Sequence, residues 1–458
     1  MRKVINSQMQ IGETDISNIE FDLQSQDEIP QLLMGLQHIY NHKPTRTKVF
    51  QILKGIVPKD VDPNNGCPGM DLWKILVLGT LRLNCNWDFD KLHDIANNHK
   101  KVRQMLGHNA LNDNYRYALQ TLKDNISLFT QEVFDEINRI VVNMGHRLLG
   151  HQPHEALHGR CDSFVVETNV HYPTDINLLF DAIRKVIKLT GRLCSAIGIT
   201  TWRKSDYQIR KIKKSFNNVR RMKRSTSNNP DKKAQREKQI IQAHQDYIAL
   251  VLGALIKLES TLQMLHEHHQ DKQQKIQQIE YYKKNAYRQI DQIYRRVVLD
   301  ETIPPHEKIF SIFEPHTEWI SKGKAGVPQE LGLRTCVLED QYGFILYYLV
   351  MEQQIDEQVA VPMVVSAKQR FSNLKGCSFD TGFYTPDNKI KLNKILDYVV
   401  LPKKGKLSQQ DKQLEYSDQF IQKRKKHSAV ESAINALENH GLDRCLELFA
   451  LTYLIFNR

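Results

Sequence analysis

Apolar residues recur at helical spacing along most of this chain and give way to β-prone runs in only a few blocks. Leu72, Trp73, Ile75, Leu76, Leu78, Leu81 and Leu83 predict one strongly apolar helix. Shorter helices follow at Asp88–Asn97, Lys101–Leu106 and Asp113–Lys123, with Gly107-His-Asn as a break and Asn112 or Asp113 as an N-cap. Residues 156–170 turn β-prone and end in Thr168-Asn-Val-His-Tyr-Pro-Thr-Asp175. From Ile176 to Glu301 the pattern is helical again, with Pro230 as the one proline between Pro173 and Pro304. The segment Lys238–Val298 reads as long amphipathic helices forming a hairpin or small bundle. Leu331–Glu339 and Phe344–Met351 then flank Asp340-Gln-Tyr-Gly343 as a hairpin. Leu374–Phe379 predicts a strand, Asn388–Asp397 a helix, Val399–Pro402 a strand, and Ser417–His440 a helix ended by Gly441. The order describes an α/β core carrying a large helical insertion, without internal repeats. The expected domains are a flexible arm over 1–26, a helical domain over 27–150, a first core segment over 151–183, a helical basic insertion over 184–303 and the rest of the core over 304–458.

With 458 residues the chain is too long for one ordinary core, and two or three domains are expected. No apolar run approaches the roughly 20 residues of a membrane span, the longest candidates being Ile248–Leu258 and Leu446–Phe456. The N-terminus lacks an apolar stretch after Arg2 and Lys3, so a cytoplasmic location and no membrane partner are expected. The cysteines stand singly, without the paired spacing of zinc or redox sites, and are read as reduced thiols. A net charge of +12 favours a polyanionic partner.

That charge concentrates in Arg203–Arg224, where Arg203, Lys204, Arg210, Lys211, Lys213, Lys214, Arg220, Arg221, Lys223 and Arg224 face a single acid, Asp206. Trp202, Tyr207 and Phe216 are interleaved, a composition suited to phosphate contact with occasional base stacking. If the N-terminal helices form a helix-turn-helix, Asp113–Lys123 would present Tyr115, Arg116 and Gln120 to the major groove; a plain helical bundle is the alternative. His266-Glu-His-His269 is read as solvated helix surface, and His316–Lys324 would bring Glu318, Lys322 and Lys324 near the sheet.

Three acids stand out by their settings. Asp162 follows Cys161 in an apolar run, Asp380 closes Leu374–Phe379, and Glu431 lies in the helical His427-Ser-Ala-Val-Glu-Ser-Ala-Ile-Asn435. A fold that gathers them would offer hard oxygen ligands to divalent metal, the arrangement used in phosphoryl transfer. The other reading is a turn residue at Asp380 and a solvated helix position at Glu431. Glu167 and Asp175 are assigned to the strand and to capping the next helix.

Asp162-Ser-Phe-Val-Val-Glu followed by Tyr172-Pro-Thr-Asp175 resembles the first catalytic block of DDE transposases from bacterial insertion sequences. Phe379-Asp-Thr-Gly-Phe-Tyr384 looks like their second block, and Arg424-Lys-Lys-His-Ser-Ala-Val-Glu431 like the third, in the form of the loosely grouped ISNCY transposases. The resemblance spans most of the chain from about residue 30, three blocks in the same order. It implies a ribonuclease-H-like catalytic core with a helical DNA-binding domain, and cleavage and joining of double-stranded DNA, both transposon ends and target. It also implies two Mg²⁺ ions per site, replaceable by Mn²⁺, on Asp162, Asp380 and Glu431, and a homo-oligomer on DNA. Where relatives carry Arg and a basic residue around the glutamate, this chain has His427 and Glu438. His427 is then expected to meet phosphate, with the second basic role falling to Lys425 or Lys426. The chain also closes sooner after Gly441 than those relatives do, so the alternative is a decayed copy acting only as a DNA-binding protein.

Overall fold

The apolar run Leu157–Thr168, buried on both faces along much of its length, becomes the axis of a sheet in the computed structural model. That structure describes residues 3–5, 13–22, 24–56, 69–108, 114–152, 154–223, 229–321, 329–439 and 444–445. Ahead of the sheet come α1 (Ile29–Asn41), α2 (Lys43–Lys54), α3 (Leu72–Asn84), α4 (Phe89–Asn98), α5 (Lys100–Met105), α6 (Leu119–Ile126) and α7 (Gln131–Leu148). Strand β1 (Leu157–Thr168) is followed by α8 (Asp175–Ala196), α9 (Ser205–Lys223), α10 (Pro230–His268) and α11 (Gln273–Val297). The chain then returns through β2 (Glu318–Ser321), β3 (Gln329–Glu339), β4 (Ile345–Met351), α12 (Asp356–Arg370), β5 (Leu374–Phe379), α13 (Pro386–Ile395) and β6 (Tyr398–Val400). It ends in α14 (Gln409–Glu415), α15 (Asp418–His427), α16 (Ala429–Leu437) and β7 (Arg444–Cys445). The architecture is mixed α/β with a mixed sheet.

The chain divides into two compact units, Met1–Asn169 with Ile320–Arg458, and Val170–Trp319. In the first, β1 lies centrally: β3 pairs antiparallel on one side and β5 parallel on the other, with β6 parallel beyond β5 and β4 antiparallel to β3. The predicted hairpin forms as read. Asp340 is fully buried in its turn, its carboxylate accepting from the backbone N–H groups of Tyr342 (2.9 Å) and Phe344 (3.0 Å), while Gly343 takes the left-handed φ of 87° that the turn requires. At Gly332 of β3, opposite Glu167, an added Cβ would stand 2.1 Å from the carbonyl oxygen of Val166. The obstacle is backbone, which cannot rotate away. Gly332→Ala is therefore expected to destabilise the protein by about 2–4 kcal/mol, seen as a lower urea midpoint at unchanged slope.

The N-terminal helices share the core of the sheet instead of standing as a separate domain over 27–150. Phe134 and Ile137 of α7 bury in one cluster with Ile345 and Tyr348 of β4, Asn138 donates to the Ile345 carbonyl (3.2 Å), and Arg370 pairs with Asp135 (2.9 Å). Nor do the described parts of residues 1–26 behave as a loose arm. Ile16 and Ile19 are buried, and Gln37 donates to both of their carbonyls at 2.8 Å. Further contacts hold the segment: the Leu72 and Trp73 N–H groups donate to the Lys3 (2.9 Å) and Val4 (2.8 Å) carbonyls, and Thr14 donates to the His108 carbonyl (3.1 Å), anchors spaced without helical or strand period.

The expected recognition helix also starts later. It begins at Leu119, because Tyr115–Ala118 is held extended: Arg103 donates to the Tyr115 carbonyl (2.8 Å) and the Tyr117 N–H donates to Asn97 Oδ1 (2.8 Å). Tyr115 and Arg116 thus lie in the lead-in, Gln120 in the helix, and Asn112 and Asp113 outside the described residues.

The second unit is a set of four helices, α8 to α11, around one core that includes Ile183, Ile187, Tyr247, Val251, Leu255, Leu258 and Ile279. Its limits fall outside the expected 184–303, since the whole of α8 packs its apolar face into this core. Helix α10 is long and apolar enough to cross a membrane by length and composition, which the polar interruptions at Lys257 and Glu259 hide from a search for unbroken runs. Here its apolar residues form the spine of the helical core.

Candidate active site

Strand geometry brings the first two acids together. The parallel register of β1 and β5 ends on the pair Cys161–Phe379, so the next residues along the two strands are Asp162 and Asp380. Neighbouring strands run about 4.8 Å apart. Beyond this point β5 gives way to a 3-10 turn, Thr381–Phe383, and β1 continues against β3 alone as far as β7. Glu431 arrives from α16. Val430, Ala433, Ile434 and Leu437 of that helix are buried, and its apolar side packs in one cluster with Phe164 and Val166 of β1, on the strand face that Asp162 shares. Glu431 and Asp380 are exposed and Asp162 is half-buried, so the cluster is open to a large substrate.

A fourth carboxylate, Asp356, belongs to the same cluster. It opens α12, and its Oδ1 accepts from Ser163 Oγ at 2.6 Å. An added Cβ at Gly382 would stand 3.2 Å from its Oδ2, which places it against the turn that follows Asp380. Asn388 of α13 stitches this frame by donating to the carbonyls of Glu357 (2.6 Å) and Phe383 (3.0 Å). Sequence reading missed Asp356 because the segment after β4 carries Pro362 inside its helix, which masks the helical pattern. The available signal was Asp356-Glu357 as acidic first-turn residues.

The electrostatics follow from this grouping. Burial, and then the charges of Asp380, Asp356 and Glu431, push Asp162 up to about 6, against the Ser163 N–H that its carboxylate accepts at 2.7 Å. Among the described residues no group of three or more His, Cys, Asp or Glu side chains is gathered closely enough to hold an ion as they stand. Asp162 is coupled through charge to the other three.

Beside them, α15 and α16 do not form the single helix expected over Ser417–His440. Ser428 breaks it, its hydroxyl donating to the Lys425 carbonyl (2.8 Å) while the Glu431 N–H reaches back to Ser428 (3.2 Å). Gly441 lies outside the described residues. The break turns His427 inward, with Nδ1 at 3.0 Å from Ser378 Oγ. Burial, with Arg160 and Arg424 nearby, lowers its pKa against the opposing pull of Asp380 and Glu431. His427 is thus neutral near pH 7 and held beside Ser378 of β5. Arg424, Lys425 and Lys426 are exposed on the same helix and carry the positive charge there.

In the helical unit, Arg203, Lys204, Arg210, Lys211, Lys213, Lys214, Arg220, Arg221 and Lys223 are all exposed on or just before α9, and Arg224 lies outside the described residues. A groove of about 770 Å³ runs along Arg210, Lys213, Lys214 and Arg221, with Asn217 and Asn218 as neutral donors. Of the interleaved aromatics only Tyr207 is exposed. Trp202 is buried and donates to Thr261 Oγ1 (3.0 Å), and Phe216 stacks on Phe180 in the core. They are the inner face of an amphipathic helix, so base stacking rests on Tyr207 alone. Thr174 caps α8 by accepting from the Asn177 N–H (3.3 Å), and Asp175 instead pairs with Arg296 at 2.7 Å. His266 of the histidine-rich segment pairs with Glu280 (3.1 Å). Glu318 opens β2, and Lys322 and Lys324 lie outside the described residues.

Comparison of the chain with protein-family models, with curated proteins and with solved structures finds no match.

Proposed function

We propose that the chain is a metal-dependent DNA transposase of the DDE type, cutting DNA strands at the ends of an insertion sequence and joining them to a target. The observation that carries this reading is that Asp162, drawn from a distant part of the sequence, feels the charges of Asp380 and Glu431 near the point where β1 and β5 part. The strand order β2-β3-β1-β5-β6, with β4 also paired antiparallel to β3, and with β3 antiparallel and β5 parallel to the central β1, supports a ribonuclease-H-like core.

Oxygen ligands and accumulated negative charge suit Mg²⁺ or Mn²⁺, which Asp162, Asp380 and Glu431 would hold. Such ions, when bound, activate an attacking oxygen and stabilise the leaving one. In the cut, a water oxygen bonds to phosphorus as the bond to the 3′ oxygen breaks, leaving a 3′-hydroxyl and a 5′-phosphate. In the joining step that 3′-hydroxyl attacks a target phosphodiester and displaces its 3′ oxygen. The protein's own part is placement. Ser163 and Asn388 fix the acids' frame, and the exposed cations of α9 and α15 hold backbone phosphates without reading bases.

Joining tests the proposal apart from cutting. A pre-cut duplex of the element's end, bearing a free 3′-hydroxyl, is expected to be joined to plasmid DNA in Mg²⁺. A 3′-dideoxy end is expected to give no product. Equal product from both ends would refute the assignment.

A further inference from the structure

Within the helical unit lies a cavity of about 470 Å³, within the range that takes small ligands. Its walls are of three kinds. Phe310, Trp319 and Tyr172 give an aromatic side, the last two meeting edge to face at 5.7 Å between ring centres. Lys223, Arg296 and Lys308 give a cationic side, with the Asp175 carboxylate set among them and paired with Arg296 at 2.7 Å. His244, 1% exposed, gives a buried polar floor.

His244 is the informative residue. Its Nδ1 lies 2.7 Å from the Ile240 carbonyl, which can only accept, so the proton sits on Nδ1 and Nε2 is an acceptor. That Nε2 is buried and has no hydrogen-bond partner. Burial and Lys223 both lower the pKa of the ring, against the Ile240 hydrogen bond, which keeps it neutral and Nε2 bare near pH 7. An unpaired buried acceptor costs free energy that a ligand donor would recover. A phosphodiester or fully ionised phosphate carries no such donor, whereas a base amine or a sugar hydroxyl does.

We infer that this cavity binds a nucleotide unit: a phosphate set against Lys223 and Lys308, a base against Phe310 and Trp319, and an N–H or O–H of base or sugar given to His244 Nε2. The same chemistry reaches the cavity from a free mononucleotide or from a nucleotide of a single strand. The inference is independent of the acid cluster and survives its failure.

The test is equilibrium binding to the full-length protein, by calorimetry and tryptophan fluorescence, with dAMP, deoxyadenosine, inorganic phosphate and a short single-stranded oligonucleotide as separate probes. The expected result is that dAMP binds at least about tenfold more tightly than phosphate or deoxyadenosine. Lys308→Gln, an exposed change, is expected to weaken dAMP about tenfold. His244→Phe is expected to weaken dAMP without altering phosphate. Whichever of dAMP and the oligonucleotide binds more tightly identifies the source. Phosphate binding as tightly as dAMP, no binding of either nucleotide probe, or no effect of Lys308→Gln would each overturn the inference.

Discussion

Replacing Arg210, Lys213, Lys214 and Arg221 together by Gln is expected to lower affinity for duplex DNA on the order of 10³-fold at low salt. These residues line the groove along α9 and are exposed, so their removal leaves the helical core of Ile212, Phe216 and Val219 intact. The diagnostic reading is the salt dependence. Each phosphate contact contributes roughly one unit to the slope of log affinity against log salt, so the fourfold variant should lose about three to four units. Unchanged far-ultraviolet circular dichroism with an unchanged slope would show that α9 faces solvent and not DNA. Affinity should fall alike on all sequences, because phosphate contacts carry no base information.

Asp162→Asn is expected to make the metal-free protein more stable at pH 7.5, by on the order of 2 kcal/mol after allowing for the partial exposure of the site. The sign follows from the raised pKa. Burial and the neighbouring carboxylates push folded Asp162 up to about 6, above its ordinary value of 3.8. The folded state therefore binds more protons than the unfolded chain between those values. The stabilising effect of that proton is full below about pH 4 and lost as pH rises through 6. Asn removes the penalty, so urea unfolding should separate the two proteins at pH 7.5 and superimpose them at pH 4. Asp356→Asn should recover part of the same gain, since Asp356 is one of the charges that raise Asp162. Added Mn²⁺ should stabilise the parent at pH 7.5 and do so far less in Asp162→Asn. Equal stability of parent and variant at both pH values would deny the charge crowding on which the site depends.

The parts of the fold legible in the sequence are those set by short-range chemistry. Leu374–Phe379 forms over its expected bounds, with Leu374, Cys377 and Phe379 buried and the strand closing at the polar Asp380. The Asp340–Gly343 turn follows from a carboxylate that caps its own backbone and a glycine able to adopt positive φ. Local pattern marks Asp356 only as an acidic first-turn residue; its place in the cluster depends on β4 delivering α12 within reach of the Ser163 hydroxyl. The inward turn of His427 likewise depends on one Ser428 hydroxyl within an otherwise continuous helical run. Trp202 and Phe216 mislead for a related reason: an aromatic between cations on a helix has the same composition whether it faces DNA or the core. Only the packing of α9 on α10 and α8 decides between them.

The most direct test is Mn²⁺-dependent nicking of plasmid DNA that carries the segments flanking the coding sequence, by the parent beside Asp162→Asn, Asp380→Asn and Glu431→Gln. Nicking by the parent, lowered on the order of 10³-fold in each variant with DNA binding unchanged, is the predicted result. Binding without nicking by the parent, or nicking that persists in the variants, would contradict it.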